Sequence, residues 1–343
     1  MFTNESSVAS IAGEKQEVMM KSNALVSKRI SLITMAALMS GSAALRPAPA
    51  QPRGETALLQ LLPNGEGVVT LDVQRVIGSE LWALVSSQGR LKNLIGQAQS
   101  ELGALGLETS DLKTAAIAVP GDGRESFVAV VTGRFNETGL LARLREDKRV
   151  AISSGDYKNV RVHLLAQSGA TGQAYSDIAF AFYDSGTLVV GSLGGVKAAI
   201  DVRAGDQPGI ARNQKYAGVL EQLPAGAVGL ALSPQPLLGH MPKDMPLPLP
   251  DLKNVNLIFG SVDVGSGIDL NLIFRNDTAE QGVSMAVNLK VLLKTATGVL
   301  KVAKKGKYAP VADALKTFSI SNNGPDVKVT GALSKELFAQ FLK

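Results

Sequence analysis

Apolar and polar positions change their period several times along this chain. Gly67 to Val73 is a dense run of Val, Thr and Leu, the composition of a strand. From Val76 to Leu107 the apolar residues take up i, i+3, i+4 spacing through Leu81, Leu84, Val85 and then Leu91, Leu94, Ile95, which predicts one or two helices. Thr114 to Val119 and Phe127 to Arg134 are strand-like and flank a turn at Gly121-Asp122-Gly123, and Leu140 to Leu144 opens a helix. Val160 to Leu165 alternates, with Val160, Val162 and Leu164 on one side and Arg161, His163 and Leu165 on the other, so His163 is expected at the surface. Ile178 to Tyr183 and Thr187 to Val190 form a hairpin around Asp184-Ser185-Gly186, and Val196 to Val202 a helix.

The theme then repeats. Val228 to Leu232 is a strand, residues 254–275 a strand pair turning at Gly265-Ser266-Gly267, and roughly 279–304 one long helix. A hairpin at Asn322-Asn323-Gly324 and a helix over about 334–342 follow. Short segments recur in the same order: Asp111-Leu112-Lys113 with Asp251-Leu252-Lys253, Asn136-Glu137-Thr138 with Asn276-Asp277-Thr278, and Leu62-Pro63-Asn64-Gly65 with Leu223-Pro224-Ala225-Gly226. Hairpins followed by helices predict an α+β fold of antiparallel sheets with helices packed on one face, in two related tandem copies over 51–222 and 223–343. Within the second copy, 233–251 carries Pro234, Pro236, Pro242, Pro246, Pro248 and Pro250, which excludes a helix or central strand and makes it a stiff crossover. Its apolar members Leu237, Leu238, Met241, Met245, Leu247 and Leu249, with His240, are the candidate docking or lid loop.

The amino terminus has a different pattern. Lys21, Lys28 and Arg29 precede Ile30 to Leu45, a run without charge, and Ala48-Pro49-Ala50 gives a small-x-small cleavage site. Residues 19–50 therefore predict an export signal, and 1–18 a polar leader or start-site extension ahead of Met19 and Met20. The apolar run is short of the roughly 20 residues of a membrane span, so cleavage is the expectation and a retained anchor the alternative. The destination is then the periplasm or the exterior.

Composition narrows the chemistry. No Cys and only 2 His exclude a disulfide scaffold, a cysteine nucleophile and a three-histidine metal site. Neither His163 nor His240 has a partner at ligand spacing. Net charge is +5; residues 1–50 hold five basic and three acidic side chains, which leaves +3 for the rest, too little to predict nucleic-acid binding. Gly191-Ser192-Leu193-Gly194-Gly195-Val196-Lys197 lacks the Gly-Lys-Ser/Thr ending of a phosphate loop and fits a helix capped by Ser192. Asn136, Thr138, Asn276 and Thr278, the last with Gln281, likewise fit helix caps. No catalytic residue, cofactor or metal is predicted. One charge feature stands out: Lys290, Lys294, Lys301, Lys304, Lys305 and Lys307 lie in a stretch without an acid, beside Val287, Val291, Val299 and Val302. They are the candidate contact with an anionic surface.

Leu62-Pro63-x-Gly65 with Val69-x-Leu71-x-Val73, and Gly186-Thr187-Leu188-Val189-Val190-Gly191-Ser192 with Val196-Lys197-Ala198-Ala199-Ile200-Asp201, resemble a loose group of exported bacterial proteins of unassigned activity. The resemblance implies a duplicated α+β exported body and supplies no catalytic residues. The expected function is a non-catalytic envelope protein that binds a protein partner or an apolar ligand. The alternatives are a membrane-peripheral factor using the lysine-rich helix, and a hydrolase whose site forms only in space.

Overall fold

Strand β1 (Gly67–Asp72) is paired along both edges, antiparallel to β2 (Leu112–Val119) and to β8 (Val228–Leu232), with Gly67 opposite Val119 on one side and Leu232 on the other. The computed structural model describes residues 54–341 except 88, 105, 122–126, 148–149, 169–173, 225, 235–251 and 303–308. Helix α1 (Gly54–Leu59) precedes β1. Helices α2 (Val73–Ile77), α3 (Glu80–Ser87) and α4 (Gly89–Ala104) lie between β1 and β2, three where the periodicity suggests one or two. After β2 come β3 (Val128–Gly133), α5 (Glu137–Glu146), β4 (Val150–Tyr157), β5 (Val160–Ser168), β6 (Ala174–Asp184), β7 (Thr187–Ser192) and α6 (Leu193–Ala204). After β8 come β9 (Val255–Val264), β10 (Gly267–Asn276), α7 (Ala279–Val302), α8 (Ala309–Leu315), β11 (Ser319–Asn323), β12 (Asp326–Ser334) and α9 (Lys335–Phe341).

The fold is α+β, with one antiparallel sheet in the order β11-β12-β10-β9-β8-β1-β2-β3-β7-β6-β5-β4. The sheets expected for two halves are thus one sheet, continuous across the β1–β8 pair. Outward from that pair the order is β1-β2-β3-β7-β6 on one side and β8-β9-β10-β12-β11 on the other; β5 and β4 extend the first side.

Helices cover both faces of the sheet, not one. In β3, Val128 and Val130 join one apolar cluster while Ala129 and Val131 join another; in β6, Ala179 and Ala181 oppose Phe180 and Phe182. Successive strand residues point to opposite faces, so two apolar sets require two covers. The first is closed by Leu58 and Leu59 of α1 and Val196, Ala199 and Ile200 of α6. The second is closed by Trp82 and Val85 of α3, Ile95 and Leu102 of α4, and Leu140, Leu141 and Leu144 of α5. Farther along that second face, Met285 and Ala286 of α7 pack on Ile258 and Val327.

Local chemistry sets the ends of several elements. Asn136 Oδ1 accepts from Gly139 N at 3.0 Å, and Ser192 Oγ from Gly195 N at 3.1 Å, so both act as the caps expected of them. Thr278 and Gln281 form the reciprocal capping box: Gln281 N donates to Thr278 Oγ1 at 3.3 Å and Thr278 N to Gln281 Oε1 at 3.0 Å. Asn276 does something else; it is buried and its Nδ2 donates to the carbonyls of Phe274 and Pro325.

The hairpin β4–β5 turns through Lys158 and Asn159, both left-handed at φ 48° and 64°, as a two-residue hairpin turn favours. This turn is tied to α6 by Asp201, which is 8% exposed. Its carboxylate accepts from Lys158 Nζ, from Tyr157 Oη at 2.9 Å and from Gln207 Nε2 at 3.3 Å. The Lys158 ammonium, with help from the Tyr157 hydroxyl, holds the Asp201 carboxyl below the usual carboxylate range against the cost of burial. A depressed folded pKa stabilises the fold above the unfolded value of about 4, and that stabilisation disappears as pH falls through the folded value. Asp201→Asn should therefore lower the thermal midpoint by at least a few degrees at pH 7. The gap from the parent should narrow as pH is taken below about 4, measured by circular dichroism melts.

Candidate functional site

The outer face of α7 is the most distinctive surface of the molecule. Strands β10, β11 and β12 and helix α8 support its inner face. Gly282 lets it approach closely: a Cβ there would sit 2.5 Å from the Gly324 carbonyl oxygen in the β11–β12 turn. Met285 and Ala286 bury behind it, and Leu289 packs partly against them.

The opposite face is apolar as well. Val283, Val287, Val291 and Val299 are 51%, 53%, 59% and 58% exposed. At about 3.6 residues per turn Val283, Val287 and Val291 fall within about 80° of one another on the solvent side, while Val299 lies about 160° round the helix from Val283. Single exposed valines are ordinary on protein surfaces; three on one helix face, without cover among the described residues, are less so. Lys290 and Lys294 are exposed along one edge of this stripe, and Lys301 falls in the last turn of α7. No acidic residue occurs from 281 to 312. Lys304, Lys305 and Lys307 lie outside the described residues, as do Leu237, Leu238, His240, Met241, Met245, Leu247 and Leu249 of the proline-rich crossover.

Ala279–Leu300 is long and apolar enough to cross a membrane, with a mean hydropathy of 1.3 and 11% of its apolar window buried. Its two central lysines and its packed inner face weigh against a span, since charge at a bilayer centre is costly.

Two open clefts occur elsewhere. One, of about 390 Å³, is lined by residues including Gln60, Gln207, Arg212, Tyr216 and Glu221. The other, of about 510 Å³, lies against Gly194 and Gly195 at the start of α6, with Asn64, Glu66, Asn213 and Lys215. Charged and amide side chains line both, so neither offers the enclosed apolar volume that an apolar ligand requires. Among the described residues no three His, Asp or Glu side chains gather as a metal set.

His163 departs from expectation. It is 3% exposed, not at the surface, because α5 covers the face of β5 that alternation alone assigns to solvent. Its ring stacks on Phe180 with centroids 4.9 Å apart. Both ring nitrogens have partners: Nδ1 lies 2.8 Å from Ser154 Oγ and Nε2 lies 3.3 Å from Glu137 Oε1. Sequence reading missed Ser154 and Glu137. Ser154 stands opposite His163 only once the β4–β5 register is known, and nothing in the residue types announces that register.

No family model and no curated protein matches the chain. Among solved structures it is similar to TP0453. Against crystal form I the TM-score is 0.45 at 8% identity, over 82% of this chain and 94% of that one. Against crystal form IV the TM-score is 0.46 at 10% identity, over 84% and 98%. A likeness of this depth is confined to a partial resemblance of shape and assigns no activity. The resemblance to exported bacterial proteins therefore has no matching family model behind it.

The two sides of α7 should respond oppositely to truncation. Met285→Ala should cost roughly 2–4 kcal/mol through the cavity it leaves. Val291→Ser should change stability by less than about 0.5 kcal/mol, since its face is not packed. Denaturant unfolding of the two variants beside the parent checks both values.

Proposed function

We propose that this is an exported protein that rests on an anionic lipid surface through the outer face of α7. The observation that carries the reading is the exposed valine stripe bordered by Lys290 and Lys294. Lipid chemistry matches both parts: valines enter the acyl boundary while lysines remain at the headgroups. The basic segment, uncharged run and Ala48-Pro49-Ala50 of residues 19–50 support export; these residues lie outside the described ones. We also read the two halves as related copies, a reading supported by the recurring segments and by the matching outward strand order from β1 and β8.

The energetics favour a reversible association. Burying the exposed portions of Val283, Val287 and Val291, which share one face, yields about 2 kcal/mol. Two lysines at an anionic surface add about 2 kcal/mol at low salt. The total resembles a single acyl chain, which gives marginal and reversible binding. The readings as a binder of an apolar ligand or of a protein draw less support, since both clefts carry charged and amide side chains among their lining.

Flotation of the exported protein with vesicles tests the proposal. Vesicles rich in phosphatidylglycerol should carry the protein, less so as salt rises, and pure phosphatidylcholine vesicles should carry little. The double variant Lys290→Ala/Lys294→Ala should lower partitioning about 30-fold, the equivalent of about 2 kcal/mol. Val287→Ser/Val291→Ser should weaken it at every salt concentration. Absence of binding, or variants that float like the parent, would overturn the reading.

A further inference from the structure

The groups around His163 go beyond surface docking and do not depend on it. Ser154 of β4 and His163 of β5 are direct cross-strand neighbours, so their side chains leave the sheet on the same face. That face is the one carrying α5, whose first turn contributes Glu137. Ser154 is exposed on the outermost strand of the sheet, His163 is buried, and the Glu137 side chain is 45% exposed.

One tautomer of the ring satisfies both contacts. A carboxylate only accepts, so the His163 Nε2–H donates to Glu137 Oε1. In that tautomer Nδ1 is the acceptor and faces the Ser154 hydroxyl across 2.8 Å. Stacking on Phe180 holds the ring so that it cannot swing away from either partner. A hydroxyl on a base that is itself oriented by a third group is the arrangement that activates a serine. Either ring nitrogen can serve as that base, provided the other is held by the carboxylate.

We propose that Ser154 is a nucleophile toward short-chain carboxylic esters, with His163 as general base and Glu137 orienting it. Ser154 Oγ bonds to the acyl carbon as its proton passes to Nδ1, and the electron pair of the carbonyl moves onto oxygen. When the carbonyl re-forms, the ester oxygen departs and takes the proton from Nδ1 as an alcohol. Glu137 stabilises the transient imidazolium through Nε2. Water then attacks the acyl-serine, gives a proton to Nδ1, and releases the acid as that proton returns to Ser154. Ester and water become acid and alcohol with no other reactant. Ser154 meets solvent on an outer strand, and a small ester is the simplest substrate to reach it there.

The test is covalent labelling of the full chain with a fluorophosphonate probe, with p-nitrophenyl acetate turnover beside it. One adduct is expected, mapped by mass spectrometry to Ser154. It should be absent in Ser154→Ala and retained in Ser153→Ala. His163→Gln should slow labelling roughly a hundredfold or more, the usual worth of a general base. Glu137→Gln should slow it by a smaller but measurable factor. Because Glu137 is at the surface, that variant keeps the test decisive even where His163→Gln fails to fold. No adduct in the parent would overturn the proposal. So would an adduct at Ser154 whose rate is the same in Glu137→Gln as in the parent.

Discussion

Pairing along both edges of β1 is the constraint on which the architecture depends. One edge is filled by β2, a near neighbour in sequence, and the other by β8, whose partner residues lie about 160 positions farther on. Each strand backbone must place its N–H and C=O groups somewhere, and β1 places them in both halves of the chain at once. The seam is tight: a Cβ on Gly67 would meet the carbonyl of Ala231 at 2.7 Å. Because the seam joins the halves edge to edge, they share one sheet, and that sheet needs a cover on both faces.

Two-sided burial explains features that look unrelated in the sequence. Alternating strands such as β3 and β6 are apolar on both sets of positions, since each set meets a helix layer. His163 is buried for the same reason, and burial obliges both its nitrogens to find partners. The polar groups that satisfy it are what assemble a serine, an imidazole and a carboxylate in one place. Asp201 obeys the same rule on the other face, where Tyr157, Lys158 and Gln207 surround its carboxylate. His163 and Asp201 thus mark contacts between separate elements of the fold.

Helix α7 is the contrary case. Its inner face closes the end of the sheet at Ile258 and Val327, yet its outer valines have no cover among the described residues. A helix apolar on nearly all sides is normally enclosed by protein or by lipid. Among the described residues its inner side meets protein and its outer side meets none, and Lys290 and Lys294 border that outer side.

The chain's local patterns indicated most of its elements and the α+β class, though not α1, β4 or α8. Val/Thr-rich runs, turn glycines, proline clusters and caps such as Asn136, Ser192 and Thr278 act within a few residues of themselves, so they can be read in one dimension. The lysine row and the valines beside it were also visible, because helical spacing puts them on a common face. What sequence left undecided was set by contacts across the fold. Whether the valines of α7 face core or solvent depends on where β11 and β12 dock. Whether His163 meets water or Ser154 and Glu137 depends on strand register and on α5 closing over β5. Register and coverage are properties of pairs of distant segments, and no single segment encodes them.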